Sequence, residues 1–439
     1  MCISDLFQNH VNIRQRTTED ALQFTKFDAL VISSGCPFTY FSDDCDAPFR
    51  RTPHFSHWTP MEGAHHLLVI KPGSKPKLIR YAPDDYWYEQ SPLGNPFWAN
   101  AFEIYEATTI EAAWDAIGLT GHVAYIGNET ELAEKAAFEV NPGDLTARLD
   151  WERAYKTDYE VSCIEEAIVL GLKAHEAGRL AFLNGASELE IHQAYTQSIG
   201  CLDHELAFSS IVAMNEKSAT LHYENKRTLR NGKTLVLDCG ATVRGYRSDI
   251  TRTFASPACD YRFKFLLAGM EKLERELANS VRPGLPFGEL HHVAHIKIAT
   301  LLREVGILYA DPEEAAKKGW TRPFFPHGLG HHLGIQCHDV GGKLASPDGT
   351  PQPPPENHPT LRNTRTLEAG HLVTIEPGLY FIPMLLKPYR GGSDSNLFDW
   401  ALIDELTPLG GIRIEDNVIA TENGSRNITR ELEVKLGIG

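Results

Sequence analysis

Hydrophobic and polar positions follow two textures along this chain. Up to about residue 150, short apolar runs are separated by polar stretches and turn residues. A polar amphipathic stretch over 7–25 has helical spacing and precedes the apolar run Ala29-Leu-Val-Ile-Ser33. His66-Leu-Leu-Val-Ile-Lys71, a Pro72-Gly73 turn and Lys77-Leu-Ile-Arg-Tyr81 predict a hairpin. Residues 102–105, a short helix near 110–117 and residues 122–126 continue the alternation, which predicts a small α/β domain with a mixed sheet. Near 150 the texture becomes helical. Thr157-x-x-Glu160 is a capping box, in which the hydroxyl accepts a free backbone N–H and the Glu reaches back. It opens a helix over about 159–183 that Asn184-Gly185 stops, and Ser187-x-x-Glu190 caps the next. A boundary at 150–156 follows, with domains 1–155 and 156–439.

The second region carries an internal duplication. The helix over 159–183, the Gly185 break and Glu188-Leu-Glu-Ile-His192 have a counterpart. It consists of a helix over about 261–280, the Pro283-Gly284 break and Glu289-Leu-His-His-Val293. After each pair comes an apolar strand with an acid and a glycine at its end: Leu235-Val-Leu-Asp238-Cys-Gly240, then Val373-Thr-Ile-Glu376-Pro-Gly378. Each is followed by a glycine and an arginine-containing acid segment, Gly245-Tyr-Arg-Ser-Asp249 and Gly411-Ile-Arg-Ile-Glu415. Pro351-Gln-Pro-Pro-Pro-Glu-Asn-His-Pro359 is expected to be an extended loop, either a surface excursion or a wall over a substrate site.

Composition narrows the function. The 439 residues suffice for two or three domains, and a net charge of −16 argues against nucleic acid as a partner. No apolar run is long enough for a membrane span, and the polar start lacks a secretory pattern. Eight cysteines without a CxxC pair suggest free thiols and a cytoplasmic location.

Candidate chemistry centres on the duplicated acids. Asp249 lies eleven residues after Asp238, and a hairpin turn near Arg244-Gly245 would let both carboxylates converge. Glu376 and Glu415 repeat the device. Four such acids either sit at separate exposed strand ends or are held together by a cation. Between the two pairs lies Phe324-Phe-Pro-His327-Gly-Leu-Gly-His331-His332-Leu-Gly-Ile-Gln-Cys-His338-Asp339-Val-Gly-Gly342. Its histidines can ligate metal or carry protons, and its glycines are expected to let backbone approach a ligand. His327 and His331 are four apart, yet no Glu completes HExxH and the glycines disfavour helix. One imidazole with four carboxylates suits Mn2+, or else Co2+, Fe2+ or Zn2+. Four carboxylates exceed what one ion needs. Two ions sharing them, roughly 3.5–4 Å apart, can hold a hydroxide and polarise a carbonyl.

On these motifs, with Leu-His222-Tyr, Ser-Asp-Ile-Thr-Arg-Thr and Ile-Glu-Pro-Gly-Leu-Tyr-Phe, the chain resembles the creatinase/methionine-aminopeptidase family. Within it the nearest resemblance is to the bacterial Xaa-Pro dipeptidases (prolidases), including those known as organophosphorus acid anhydrolases. The resemblance implies an α+β "pita-bread" catalytic domain with a pseudo-two-fold repeat, after a smaller α/β domain. It implies a dinuclear centre, expected to hold Mn2+, on Asp238, Asp249, His331, Glu376 and Glu415. Glu376 is then also the proton shuttle, and His338 steadies the substrate carbonyl. Arg362 is expected to clamp the free carboxylate of a C-terminal proline. His222 assists it and is grouped with the catalytic residues, while His327 lines the same pocket. Arg413, placed in that pocket, is expected to buttress the carboxylates. Asp44, in a loop resembling one that enters a dimer partner's site, is the candidate for the substrate amine. Tyr86-Trp87-Tyr88 is expected to pack in the core, the alternative being that it shapes that pocket.

The implied activity is hydrolysis of Xaa-Pro dipeptides by a homodimer, with phosphotriester hydrolysis as a side reaction. The competing readings are an Xaa-Pro aminopeptidase acting on longer peptides and a metal-free binding protein on the same fold.

Overall fold

The amphipathic start of the chain is a helix, Ile3–Thr25, that buries Phe7, His10, Val11 and Leu22. In this computed structural model, which describes residues 2–438, the chain forms two compact units. The first comprises Met1–Arg153 with Thr157–Val161 and Ser346–Thr350. Its sheet has six strands in the order Glu103–Ala107, Lys77–Tyr81, Leu67–Ile70, Ala29–Ser33, Val123–Ile126 and Glu139–Val140. The Pro72-Gly73 hairpin pairs antiparallel, whereas Ala29–Ser33 runs parallel to Val123–Ile126, so the sheet is mixed. The alternating side chains Val31, Leu67, Ile79, Val123 and Tyr125 form its apolar core.

The Thr157–Glu160 capping box is formed. Thr157 N donates to Glu160 Oε2 at 2.9 Å, and Glu160 N donates to Thr157 Oγ1 at 3.4 Å. The Glu160 carboxylate also meets His57 Nε2 at 3.2 Å, and His10 Nδ1 lies 2.9 Å from Thr157 Oγ1. Tyr86-Trp87-Tyr88 corrects an expectation. The three side chains are 87, 76 and 71% exposed, because they lie in an irregular segment with no strand or helix to fold them inward.

The second unit comprises Ala154–Lys156, Ser162–Ala345 and Pro351–Gly439. It repeats one order of elements. Helices Asp158–Leu183 and Glu188–Ile199 precede an antiparallel sheet of Ile250–Ala255, Thr234–Cys239 and Ile211–Met214. Helices Tyr261–Ser280 and Phe287–Glu304 precede an antiparallel sheet of Leu372–Ile375, Asp416–Thr421 and Gly424–Asn427. The halves are joined by the bridge between Thr251 and Glu415. Apolar faces of the second helix pair, including Phe263, Leu266, Leu290 and Ile298, pack with Val373, Ile375 and Val418 into a continuous core.

The glycine-rich stretch is irregular rather than helical, and two of its glycines lie tight against other backbone. A Cβ on Gly330 would collide with the Thr374 carbonyl, and one on Gly328 would press on Leu361 Cα at 3.1 Å. These glycines let backbone approach backbone, which seats the histidine segment against neighbouring chain. The Pro-rich segment is irregular and mostly exposed, tied at its start by Gln352 N donating to Lys343 O at 2.7 Å. All eight cysteines are free, and among the described residues no helix is long and apolar enough to cross a membrane.

Candidate metal centre

The hairpin turn brings the first two acids together. Strand Thr234–Cys239 pairs with Ile250–Ala255 so that Asp238 stands opposite Thr251, which sets Asp249 at the start of the returning strand. Arg244 and Gly245, both with positive φ, make the turn between them. In the second half, Glu376 directly follows Leu372–Ile375, and His331 is held alongside that strand. Thr374 N donates to His331 O at 2.9 Å, and His331 N donates to Thr374 Oγ1 at 3.2 Å. Glu415 sits where the halves join. Its N–H donates to Thr251 O at 3.0 Å, and its Oε2 accepts from Thr251 Oγ1 at 2.6 Å.

Asp249, His331 and Glu415 present ligand atoms within 4.8 Å of one another, and all three are buried. His331 Nε2 lies 3.4 Å from Asp249 Oδ2 and 3.7 Å from Glu376 Oε1. Its Nδ1 donates to the His332 carbonyl at 2.9 Å, which leaves the Nε2 lone pair pointing at the carboxylates. Asp238 Oδ2 accepts from Arg413 Nη2 at 2.6 Å, while its buried Oδ1 has no hydrogen-bond partner.

A cation would relieve the electrostatics of the cluster. Burial, then repulsion from Asp249, Glu376 and Asp238, pushes the Glu415 carboxyl far above its usual range. Burial also raises Glu376 to about 7 and raises Asp238, although Arg413 opposes both. For Asp249, burial raises the pKa, but hydrogen bonding and attraction to His331 outweigh it and leave it low. His331 is lowered by burial and raised more strongly by Asp249 and Glu376. Four carboxylates with one orphaned oxygen and one imidazole lone pair directed at them fit divalent metal ions.

The remaining residues divide by place. His338 is exposed, its ring perpendicular to that of His331 with centroids 4.5 Å apart. Arg362 and His222 are exposed and lie near enough to depress both His327 and His338, after burial and nearer neighbours. His327 Nδ1 donates to Gly328 O at 2.8 Å and lies 3.7 Å from Glu376 Oε2. Arg413 is buried, and its guanidinium is committed to Asp238 and, through Nη1, to Tyr380 Oη at 2.7 Å. Asp44 lies in the first unit on an exposed turn, its N–H donating to Asp43 Oδ1 at 2.7 Å.

Three participants escape a reading by residue type. Tyr380 Oη accepts from Arg413 and donates to His327 Nε2 at 2.9 Å, linking Asp238 to the histidine pocket. In the sequence it stands four residues after Glu376 within Leu-Tyr-Phe, where it reads as core. Thr251 holds Glu415, and Cys337 Sγ donates to Asp249 Oδ2 at 2.9 Å. Neither stands out from its apolar or glycine-rich surroundings.

Comparison with known proteins places the chain in a family. Residues 162–422 match the model of metallopeptidase family M24, and residues 5–151 match that of the Xaa-Pro dipeptidase N-terminal domain. The Xaa-Pro dipeptidase of Pseudoalteromonas atlantica is 38% identical over 98% of this chain and 99% of its own. That of Marinobacter nauticus is 41% identical over 98% and 99%. Among solved structures, proline aminopeptidase P II from Yersinia pestis superposes with a TM-score of 0.73 at 22% identity, covering 97% of this chain and 96% of its own. Zinc-substituted Escherichia coli aminopeptidase P in complex with product gives 0.73 at 22%, covering 97% of each. The structural likeness gives the fold, the pita-bread architecture with its smaller N-terminal α/β unit. With matches to a family model over 162–422 and to relatives along the whole chain, this protein belongs to metallopeptidase family M24.

Proposed function

We infer that the chain is a metal-dependent Xaa-Pro dipeptidase that hydrolyses the peptide bond before a C-terminal proline. The convergence of Asp249, His331 and Glu415 carries this reading, in a chain matching named Xaa-Pro dipeptidases along its length. Asp238, Asp249, His331, Glu376 and Glu415 hold two divalent ions in this reading, with Mn2+ suited to so oxygen-rich a set. When bound, such ions supply Lewis acidity and an activated water.

The chain's own groups do the rest. Glu376 takes a proton at its carboxylate and delivers it to the prolyl nitrogen as that nitrogen leaves. His338, exposed beside His331, donates a hydrogen bond to the substrate carbonyl oxygen as charge develops there. Arg362 binds the proline carboxylate in bidentate fashion, and His222 and His327 flank it. Arg413 holds Asp238 and orients His327 through Tyr380. Asp44 is assigned to the substrate's free amine in a neighbouring copy, which makes a homodimer part of the reading. The working compartment is the cytoplasm, where the eight free thiols persist. Phosphotriesters are side substrates, since their tetrahedral phosphorus resembles the intermediate formed at the attacked carbon.

The test is hydrolysis of Ala-Pro and Ala-Pro-Ala by protein stripped of metal and then given Mn2+. Restored cleavage of the dipeptide alone is expected. Cleavage of the tripeptide would make the protein an aminopeptidase, and cleavage of neither would remove the activity.

A further inference from the structure

Apart from the carboxylate centre, three histidines in the second unit turn their ring nitrogens toward one another. His291 and His295 lie one turn apart on helix Phe287–Glu304, so their side chains share a face. His358 closes the Pro-rich segment and is held in a tight turn, with His358 N donating to Pro355 O at 2.8 Å and Leu361 N donating to His358 O at 3.1 Å. His291 Nε2 lies 3.1 Å from His358 Nδ1 and 3.3 Å from His295 Nε2. Each of the three offers one nitrogen within 4.8 Å of the other two.

Hydrogen bonding alone accounts poorly for this arrangement. A neutral imidazole has one N–H, and His291 Nε2 faces two other ring nitrogens at once. His291 Nδ1 is buried with no partner, so the ring finds no better bond on its other side. The strongest charged influences on the cluster are other histidines and Arg322, with no carboxylate among them, so an ion pair is not what draws the rings together. Burial favours the neutral rings, which is the form that ligates metal.

We propose that His291, His295 and His358 form a second metal site, selective for a borderline divalent ion such as Zn2+, Ni2+ or Cu2+. Bond lengths of ~2.0–2.1 Å to imidazole nitrogen put tetrahedral ligands ~3.3–3.4 Å apart. The observed 3.1 and 3.3 Å separations match that edge. His295 Nδ1 lies 2.8 Å from Thr321 Oγ1, the outer partner that fixes a ligating ring with its Nε2 lone pair inward. Three neutral nitrogens suit these ions better than Mn2+, which prefers the carboxylate centre. The fourth position goes to water or a small anion, reached from the half-buried His358 side and favoured by the nearby Arg322 charge. An ion here fastens the Pro-rich segment to the helix. It also lies behind Phe325, whose ring packs on His291, His295 and His327 at centroid distances of 5.4, 5.0 and 5.0 Å.

The experiment counts ions on the full chain. Wild type, His295→Phe and His358→Ala are stripped of metal, loaded with Zn2+ or Co2+ in separate series, and titrated against a chromogenic chelator. Wild type is expected to hold one more equivalent than either variant, with affinity for that ion falling at least ~100-fold when a ligand is removed. The intense visible bands of four-coordinate Co2+ should weaken in step. His358→Ala, on an exposed segment, guards against misfolding of the buried variant. Asp249→Asn should lose binding at the carboxylate centre yet keep the histidine-bound ion, which separates the two sites and leaves this test independent of the dipeptidase reading. Equal stoichiometry and affinity in wild type and both histidine variants would overturn the proposal.

Discussion

At the scale of single residues, the centre is joined to its pocket by one hydroxyl. Tyr380 Oη accepts from Arg413 and donates to His327, while Arg413 holds Asp238. Removing that hydroxyl leaves a buried guanidinium N–H and an imidazole nitrogen unpaired, at a cost of about 1–3 kcal/mol. Tyr380→Phe is therefore expected to lower kcat/KM for Ala-Pro roughly 10–100-fold while bound metal stays constant. Steady-state kinetics beside metal analysis checks this, and an unchanged kcat/KM would deny the bridge its role. The four acids and His331 were legible in the sequence because their residue types announce chemistry and their strands are duplicated. Tyr380 was not, since a tyrosine between Leu379 and Phe381 shows its apolar ring to pattern reading and hides its hydroxyl's partners. Cys337 was hidden in the same way, its thiol reading as one free cysteine among eight until the fold sets it on Asp249.

At the scale of elements, caps and breaks were readable where packing was not. The boxes at Thr157–Glu160 and Ser187–Glu190 form as their spacing implies, because both are local. Which strands pair is decided by contacts distant in sequence, and neither the bridge between Thr251 and Glu415 nor the close approach of Gly330 to Thr374 has a local signature. The glycines of the histidine segment illustrate the difference, since residue type alone cannot tell approach to a ligand from approach to another backbone. Two alanine substitutions should separate structural from incidental glycines. Gly330→Ala drives a methyl into the Thr374 carbonyl and is expected to destabilise the fold by about 1–3 kcal/mol and to weaken metal binding through His331. Gly288→Ala, in the helix Phe287–Glu304 with open space at its Cβ, is expected to stabilise by about 0.5–1 kcal/mol. Urea midpoints give both signs, and shifts in the same direction would contradict the close-approach account.

At the scale of the whole molecule, buried neutral histidines in both units set a common response to acid. Burial is the largest influence in each case. It brings His10 and His66 in the first unit to about 4, His57 to about 3, and His175 in the second unit to about 4. His10 and His57 face Glu160, which raises them, and Arg14, which lowers them. His175 has no carboxylate among its main influences and feels Arg252, and its Nδ1 lies 2.8 Å from Gly171 O and its Nε2 2.9 Å from Ile250 O, of which the neutral ring can donate to only one. A folded-state pKa below the unfolded value of 6.5 means that the unfolded chain binds more protons between the two. The stability these rings contribute is thus complete above about pH 6.5 and is lost progressively as pH falls toward 4. Glu160, held well below its usual range, adds a loss that begins only further into acid. One ring such as His175 accounts for on the order of 3 kcal/mol across the window. Urea midpoints of metal-stripped protein from pH 8 to 4.5 at constant ionic strength carry this histidine decline below about 6.5 together with an opposite gain from the raised Glu376 and Glu415 carboxyls, a gain that wild type and a histidine variant share. His175→Gln, which cannot titrate, should reduce the steepness of that decline even if its midpoint at pH 8 is lower. A decline of the same steepness in wild type and variant would show that the acid response arises elsewhere in the fold.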